Sequence, residues 1–156
     1  MGACTVARLL TPAEVLRLIQ QQEPFRFVDE ITEIGDERVA GVHRWRPESD
    51  FYRGHFPGNP VTPGVLLVEC MAQCTVVPLA IYLFHRDFDE DAEKFQTLFT
   101  DAAIDFGGIV RPGDRVRTEA KLVFWRRKKL KVQAEMRRDD GTLVCSGTLA
   151  GLGVVP

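Results

Sequence analysis

A single long apolar segment limits the folds that this chain can adopt. Between Val65 and Phe84 the apolar residues are interrupted only by Glu69, Gln73, Thr75 and Pro78. A helix that is apolar nearly all round is buried on all sides, so the rest of the chain has to enclose this one. The four interruptions favour a core helix over a membrane-spanning one.

The residues before this segment predict where the helix begins. Thr62 can cap it and Pro63 suits the first helical position, so we expect a helix from about Gly64 to His85. Such a helix would be about 30 Å long at about 1.5 Å per residue. Pro78 is expected to kink it or to remove one backbone hydrogen bond.

Strand patterns supply the enclosing layer. Thr11-Pro12-Ala13-Glu14 is a capping box and predicts a short helix over 12–21. A hairpin of Phe25–Ile34 and Arg38–Trp45 follows, and then a long loop over 47–63 with a short turn near Glu48–Phe51. Further strands are expected at 94–106, 114–126, 129–138 and 142–152. The prediction is one α+β domain over 1–156, an antiparallel sheet curled around one central helix.

Composition excludes few functions, but the charge is unevenly distributed. The 156 residues have a formal net charge of −2, which does not point to nucleic acid. From Arg111 to Arg138, however, eleven Lys and Arg stand against Asp114, Glu119 and Glu135, a local net charge of +8. This segment is either a pair of solvated strands or a surface that attracts an acidic partner.

The cysteines and the N-terminus indicate an ordinary intracellular protein. The four cysteines, Cys4, Cys70, Cys74 and Cys145, form no CxxC pair and are expected to pack in the core. The N-terminus lacks the charged and apolar regions of a secretory signal, so the cytoplasm is the simplest compartment.

The segment Gly54–Glu69, GHFPGNPVTPGVLLVE, places a histidine and a carboxylate 14 positions apart. His55 lies in a loop that prolines and glycines make rigid. Glu69 lies in the apolar helix, and apart from His55 it is the only ionisable group between Arg53 and Cys70. Burial would raise its pKa, which suits a proton donor near neutral pH. The alternative is a structural ion pair between Glu69 and an arginine.

Two further groups could assist such chemistry. The N–H groups of Gly64 and Val65 are expected to be unpaired at the positive end of the helix, where they could hold a carbonyl oxygen. The alternative there is a plain capped helix start. Gln73, four residues after Glu69, shares its helix face.

The stretch Gly54–Gln73, GHFPGNPVTPGVLLVECMAQ, closely resembles the signature of the β-hydroxyacyl-acyl-carrier-protein dehydratases of the FabZ type. Pro24–Asp29, Phe51–Gly54, Ile104–Phe106 and Val110–Asp114 also fit this family, so the resemblance covers roughly 10–150. It implies the hotdog fold, edge-to-edge homodimers and often three such dimers in a hexamer. It also implies that His55 of one chain faces Glu69 of the other.

The resemblance further implies dehydration of a (3R)-hydroxyacyl thioester to the trans-2-enoyl thioester. His55 would take the α-proton, Glu69 would protonate the departing hydroxyl, and the Gly64 N–H would hold the thioester oxygen. The carbonyl of Val61 would fix the tautomer of His55. Other implied residues are Phe56, Pro57 and Thr62 in the substrate tunnel, and Arg111, Arg126, Arg127 and Lys128 as contacts of the acyl carrier protein. The substrate would arrive on the phosphopantetheine of that protein, without metal or redox cofactor.

This chain departs from the family pattern in a few places. Thr62 replaces the usual methionine, Pro78 within the helix is unusual, and the run 105–108 lacks the usual arginine. Glu69, where the isomerising FabA-type relatives have aspartate, favours a plain dehydratase. Two other functions stay open: a hotdog thioesterase, and a non-catalytic module that binds acyl thioesters or the carrier protein.

Overall fold

A six-stranded antiparallel sheet surrounds a central helical segment, as the sequence predicts. The structure is a computed structural model and describes residues 8–88 and 90–156. The helices are α1 (Pro12–Leu18), α2 (Phe51–Gly54), α3 (Gly64–Cys74) and α4 (Val76–Asp87), with a 3₁₀ turn at Ala92–Lys94. The strands are β1 (Glu30–Ile34), β2 (Arg38–Arg44), β3 (Gln96–Phe106), β4 (Arg115–Arg126), β5 (Lys129–Arg138) and β6 (Leu143–Val154). Cys4 lies outside the described residues.

The sheet order is β1-β2-β4-β5-β6-β3, which places β3 at one edge although it is third in sequence. Each of its neighbouring pairs is antiparallel. The tight turn between β4 and β5 uses Arg127 and Lys128 at positive φ, as a two-residue hairpin loop requires. Because β3 bonds to β6 on one side only, its other edge is free among the described strands.

The core lies between the curved sheet and α4. Leu79, Ile81, Leu83 and Phe84 of α4 are fully buried, and they face alternating buried residues of the strands. The segment Gly64–Asp87 is long and apolar enough to cross a membrane, but 72% of its most apolar stretch is buried inside the protein. That degree of burial fits the predicted core helix. Cys70, Cys74 and Cys145 are buried free thiols, which confirms their predicted place in the core.

The central helix is interrupted at Thr75, three residues before the proline that was expected to disturb it. Pro78 has no N–H for the carbonyl of Cys74, and its ring crowds that carbonyl. The helix is broken at Thr75, whose φ and ψ are −132° and −69°. The Thr75 hydroxyl donates to the Met71 carbonyl over 2.6 Å. Gly41 of β2 makes room for this break, since a Cβ there would lie 3.0 Å from the Cβ of Cys74.

Two predicted boundaries are wrong, and tertiary contacts explain both. α1 ends at Leu18, and not at 21, because the Arg26 guanidinium donates a hydrogen bond to the Leu16 carbonyl over 3.2 Å. β1 begins at Glu30, and not at Phe25, because the backbone of 25–27 bonds to the side chain of Gln73.

The predicted cap of the central helix is also wrong. Pro63 occupies the N-cap position and no side chain caps the helix start. The Thr62 hydroxyl points instead to the phenol of Tyr52, over 2.7 Å. The predicted short turn near Glu48–Phe51 is present, since the Tyr52 N–H donates to the Ser49 carbonyl over 3.3 Å, and it leads into the helical turn α2.

Candidate active site

Backbone hydrogen bonds hold the loop that carries His55. The His55 N–H donates to the Phe51 carbonyl over 3.0 Å, and the His55 carbonyl accepts from the Val61 N–H over 2.9 Å. Phe56 and Asn59 exchange a pair of backbone hydrogen bonds at 3.0 and 2.9 Å. The peptide between His55 and Phe56 is cis. The loop is therefore ordered by its own main chain, as its prolines and glycines predict.

One ring nitrogen of His55 is committed to the main chain. Nδ1 lies 2.8 Å from the carbonyl oxygen of Val61. A carbonyl oxygen can only accept, so Nδ1 carries the proton and Nε2 of the neutral ring is left with its lone pair. The half-buried ring stacks on Phe56 with 3.9 Å between ring centroids. This arrangement makes Nε2 a base with a defined direction.

Glu69 is half-buried on α3 beside Gln73. Burial raises the pKa of the Glu69 carboxyl, and a hydrogen bond from Gln73 partly opposes this rise. Gln73 Nε2 donates to Glu69 Oε1 over 2.9 Å and to the Phe25 carbonyl over 3.0 Å, while its Oε1 accepts from the Phe27 N–H over 2.6 Å. Gln73 is fully buried, so this network fixes one oxygen of Glu69.

The structural alternative for Glu69 is not observed. Within the described part of the chain, no Lys, Arg or His forms an ion pair with Glu69. The charged form of a half-buried carboxyl is unfavourable when no cation lies beside it. The pKa of Glu69 is therefore raised, and the carboxyl keeps its proton to a higher pH. The group is thus suited to donate a proton.

The start of α3 presents free backbone donors. The N–H groups of Gly64 and Val65 are the first two of the helix and donate to no other group in residues 8–88 and 90–156. The ring of Phe106 covers Gly64 so closely that a Cβ there would lie 3.3 Å from it. The Val65 side chain is 78% exposed. Phe106 was not predicted as part of the site; its place at the end of β3, before Gly107-Gly108, was the only signal.

A small cavity lies between Glu69 and the edge strand. Its volume is about 130 Å³. The lining residues come from α3, α4, β3 and their neighbours: Gln21, Glu69, Ala72, Val76, Val77, Thr97, Leu98, Phe99 and Gly151. His55 is not among these residues. A single protomer therefore places the histidine and the carboxylate in different surroundings.

The predicted tunnel residues differ from one another in exposure. Phe56 and Pro57 are exposed beside His55, and Phe56 borders a groove with Tyr52, Pro60 and Pro112. Thr62 is buried, with only 3% of its surface exposed. Its hydroxyl faces Tyr52, a contact that the sequence did not predict.

The four predicted carrier-protein contacts do not form one surface. Arg111 lies next to the His55 loop, with Nη1 3.4 Å from Oδ1 of Asn59. Arg126 and Arg127 lie at the far end of β4, whose 12 residues span about 40 Å at roughly 3.3 Å each. Lys128 is already engaged there, 3.0 Å from Glu90 and above the ring of Phe88. Only Arg111 is close to the histidine.

Solved structures with the same architecture define the class of fold. A chain of the dehydratase heterocomplex ApeI:P from Xenorhabdus doucetiae superposes with a TM-score of 0.73 at 15% identity, covering 93% of this chain and 92% of that one. A thioesterase from Haemophilus influenzae superposes with a TM-score of 0.66 at 14% identity, covering 96% and 94%. At these identities the likeness shows the fold alone. It confirms the predicted hotdog fold, which dehydratases and thioesterases share.

Sequence comparison then identifies the family. The model of the FabA-like domain matches residues 19–148, and the chain belongs to this family. The 3-hydroxyacyl-[acyl-carrier-protein] dehydratase FabZ of Caldicellulosiruptor bescii is 36% identical over 140 residues, 87% of this chain and 93% of that protein. FabZ of Herpetosiphon aurantiacus is 37% identical over 145 residues, 90% of this chain and 96% of that protein. The predicted resemblance is confirmed.

Proposed function

We propose that this protein removes water from (3R)-3-hydroxyacyl thioesters on acyl carrier protein, giving trans-2-enoyl thioesters for fatty-acid or related acyl-chain synthesis. The family and the FabZ relatives support dehydration and the predicted enzyme class, a hydro-lyase. The observation that carries the assignment of roles is the hydrogen bond from His55 Nδ1 to the Val61 carbonyl at 2.8 Å. It leaves Nε2 as a base of fixed direction.

The proposed reaction uses the groups described above. His55 Nε2 removes the proton on C2, next to the thioester carbonyl. The N–H groups of Gly64 and Val65 stabilise the negative charge that develops on the carbonyl oxygen. Protonated Glu69 donates its proton to the 3-hydroxyl, which leaves as water while the C2–C3 double bond forms. His55 is then protonated and Glu69 ionised, and return of the proton completes the cycle.

We propose that each active site is assembled from two protomers of a homodimer. The free edge of β3 supports this, since it leaves unpaired main-chain groups along a long strand. Phe99 and Phe106 lie on the side of β3 that faces the helices, yet they are 46% and 53% exposed. Pairing of two β3 edges would cover them and bring His55 of one protomer to Glu69 of the other. Trimers of such dimers remain an expectation from the family.

Complementation between two inactive variants tests this arrangement. His55→Ala and Glu69→Gln are each purified, mixed in equal amounts, and allowed to exchange subunits. A shared site predicts that the mixture regains about a quarter of parental activity, because half of the dimers are hybrids and each hybrid has one intact site. A mixture that exchanges subunits but stays inactive would contradict the shared site without contradicting the dehydratase.

The reaction itself is tested with crotonyl and 3-hydroxybutyryl thioesters. We expect interconversion of the two, followed at the absorbance of the enoyl thioester, without release of free thiol. Release of thiol without interconversion would identify a thioesterase. Binding of acyl carrier protein without either reaction would identify a non-catalytic module.

We propose that acyl carrier protein docks at the end of the sheet that carries Arg111. Arg111 adjoins the His55 loop, and Arg138, whose guanidinium donates to the Ile109 carbonyl at 2.6 Å, lies nearby. The phosphopantetheine arm then has a short path to His55. Charge reversal in Arg111→Glu should weaken binding and its salt dependence more than reversal of both Arg126 and Arg127. The opposite order would move the docking site to the β4–β5 turn.

The remaining parts of the proposal concern setting and cofactors. We propose a cytoplasmic enzyme that works without a bound metal or redox cofactor. Proton transfer and backbone donors suffice for the chemistry above. Full activity after extensive dialysis against EDTA is the expected result.

A further inference from the structure

We propose that Tyr52 and Thr62 form a positioning pair that sets the direction of His55. This inference rests on the proposed role of His55 as the base. It goes beyond that role because it assigns a task to two buried residues whose hydroxyl groups bond to each other.

The pair joins the two ends of the loop that carries His55. Tyr52 lies on α2, three residues before His55, and Thr62 directly follows Val61. The Tyr52 hydroxyl and the Thr62 Oγ1 are 2.7 Å apart, and the two residues are only 5% and 3% exposed. The bond therefore closes the loop at its base, away from solvent.

The bond acts on His55 through Val61. The Val61 carbonyl accepts from His55 Nδ1. The N–H of Thr62, which belongs to the same peptide group, donates to the Val110 carbonyl over 2.8 Å. The side chain of Thr62 is thus the second tether on the peptide that presents the carbonyl to the histidine. A shift of this carbonyl would turn the imidazole or weaken its hydrogen bond, and both would change the base.

Other roles for the Thr62 hydroxyl are not supported. It does not cap α3, which begins after Pro63 without a side-chain cap. In the described part of the molecule, Tyr52 is its only hydrogen-bond partner. Because a buried hydroxyl without a partner is unfavourable, each member of the pair restrains the other.

The test compares variants that remove one or both hydroxyls. Thr62→Val and Tyr52→Phe should each lower kcat about 10–100-fold, the range found when a group that orients a catalytic residue is lost. KM should change less than about threefold, because both residues are buried in the protein. The double variant should lose no more than the worse single variant, since one bond is removed in all three. Thr62→Ser keeps the hydroxyl and should stay within about threefold of the parent.

A purely structural role is separated by two measurements. Thr118→Val is the matched control, a buried threonine of β4 whose hydroxyl has no recorded partner within the described chain; it should leave kcat unchanged. The ¹⁵N chemical shifts of the His55 ring should show that Nδ1 no longer carries the proton exclusively in Thr62→Val, because a weaker bond to the Val61 carbonyl no longer selects that tautomer.

The inference is overturned if the single variants lose thermal stability while kcat and the ¹⁵N chemical shifts of the His55 ring stay at parental values. Additive losses in the double variant would also overturn it. If the parent protein proves inactive as a dehydratase, the proposed function fails, and the ¹⁵N chemical shifts alone decide whether the pair orients His55.

Discussion

The two halves of the central helix are built from similar residues but have different surroundings. Every residue of α4 from Val76 to Phe84 is buried beneath the sheet. In α3, by contrast, Val65 is exposed and Glu69 is only half-buried. The break at Thr75 separates the two halves. The comparison indicates that α4 holds the fold together, whereas α3 carries residues of the proposed site and an exposed surface for the proposed dimer.

The largest effect is expected from Glu69→Gln in α3. The amide keeps an oxygen for the hydrogen bond from Gln73 but cannot donate a proton as a carboxylic acid does. The rate kcat should fall about 10²–10⁴-fold, the usual contribution of a general acid. The melting temperature should not fall below that of the parent. Turnover within tenfold of the parent would remove Glu69 from the mechanism.

Truncation of a core side chain in α4 should affect stability and not the catalytic step. Leu83→Ala should lower the free energy of unfolding by about 2–5 kcal/mol, because Leu83 is fully buried and its loss leaves a cavity. Leu66→Ala in α3 is the matched control and should cost less, since Leu66 is only partly buried. Urea unfolding at one protein concentration gives both values, and equal losses would contradict the difference between the helices.

A charge on the exposed side of α3 should affect assembly more than folding. Val65→Lys would place an ammonium group in the proposed dimer interface and should weaken dimerisation about tenfold or more. Val123→Lys provides a control, because Val123 of β4 is also exposed, at 55%, and lies in the sheet away from α3. Analytical ultracentrifugation measures both. An unchanged dimer in Val65→Lys would place the interface elsewhere.

The smallest effect concerns pH and stability. Burial raises the pKa of Glu69 in the folded protein, so the folded state binds this proton more tightly than the unfolded state. Glu69 therefore destabilises the fold increasingly as pH rises from the unfolded pKa, near 4.5, through the raised folded pKa. Relative to the parent, Glu69→Gln should gain stability over that range. A difference in unfolding free energy that does not change with pH would contradict the raised pKa.

Much of the fold could be predicted because its signals are local. The apolar segment Val65–Phe84 and the capping box at Thr11 each depend on neighbouring residues. The boundaries that were missed depend on distant partners. Gln73 holds the backbone of Phe25 and Phe27, which are more than forty positions away in sequence, so no local pattern shows it.

The candidate site also has some residues that the sequence predicts and some contacts that it does not. His55, Glu69 and Gly64 stand out in the sequence because they are a lone base, a lone acid in an apolar helix and a glycine at a helix start. The pairing of Thr62 with Tyr52 does not stand out, since the usual reading of Thr-Pro before a helix is a cap. The separation of Arg111 from Arg126 was also hidden, because closeness in sequence suggested closeness in space.

The sequence by itself determined which groups are candidates for proton transfer and the presence of a helix that a sheet must enclose. Residue type and local spacing are enough for both, since ionisation and helical periodicity are properties of short segments. Only the tertiary structure decided what surrounds each group. It buried Thr62 against Tyr52, gave Glu69 an amide partner without a cation, and left β3 with a free edge. Those outcomes depend on packing between segments far apart in the chain.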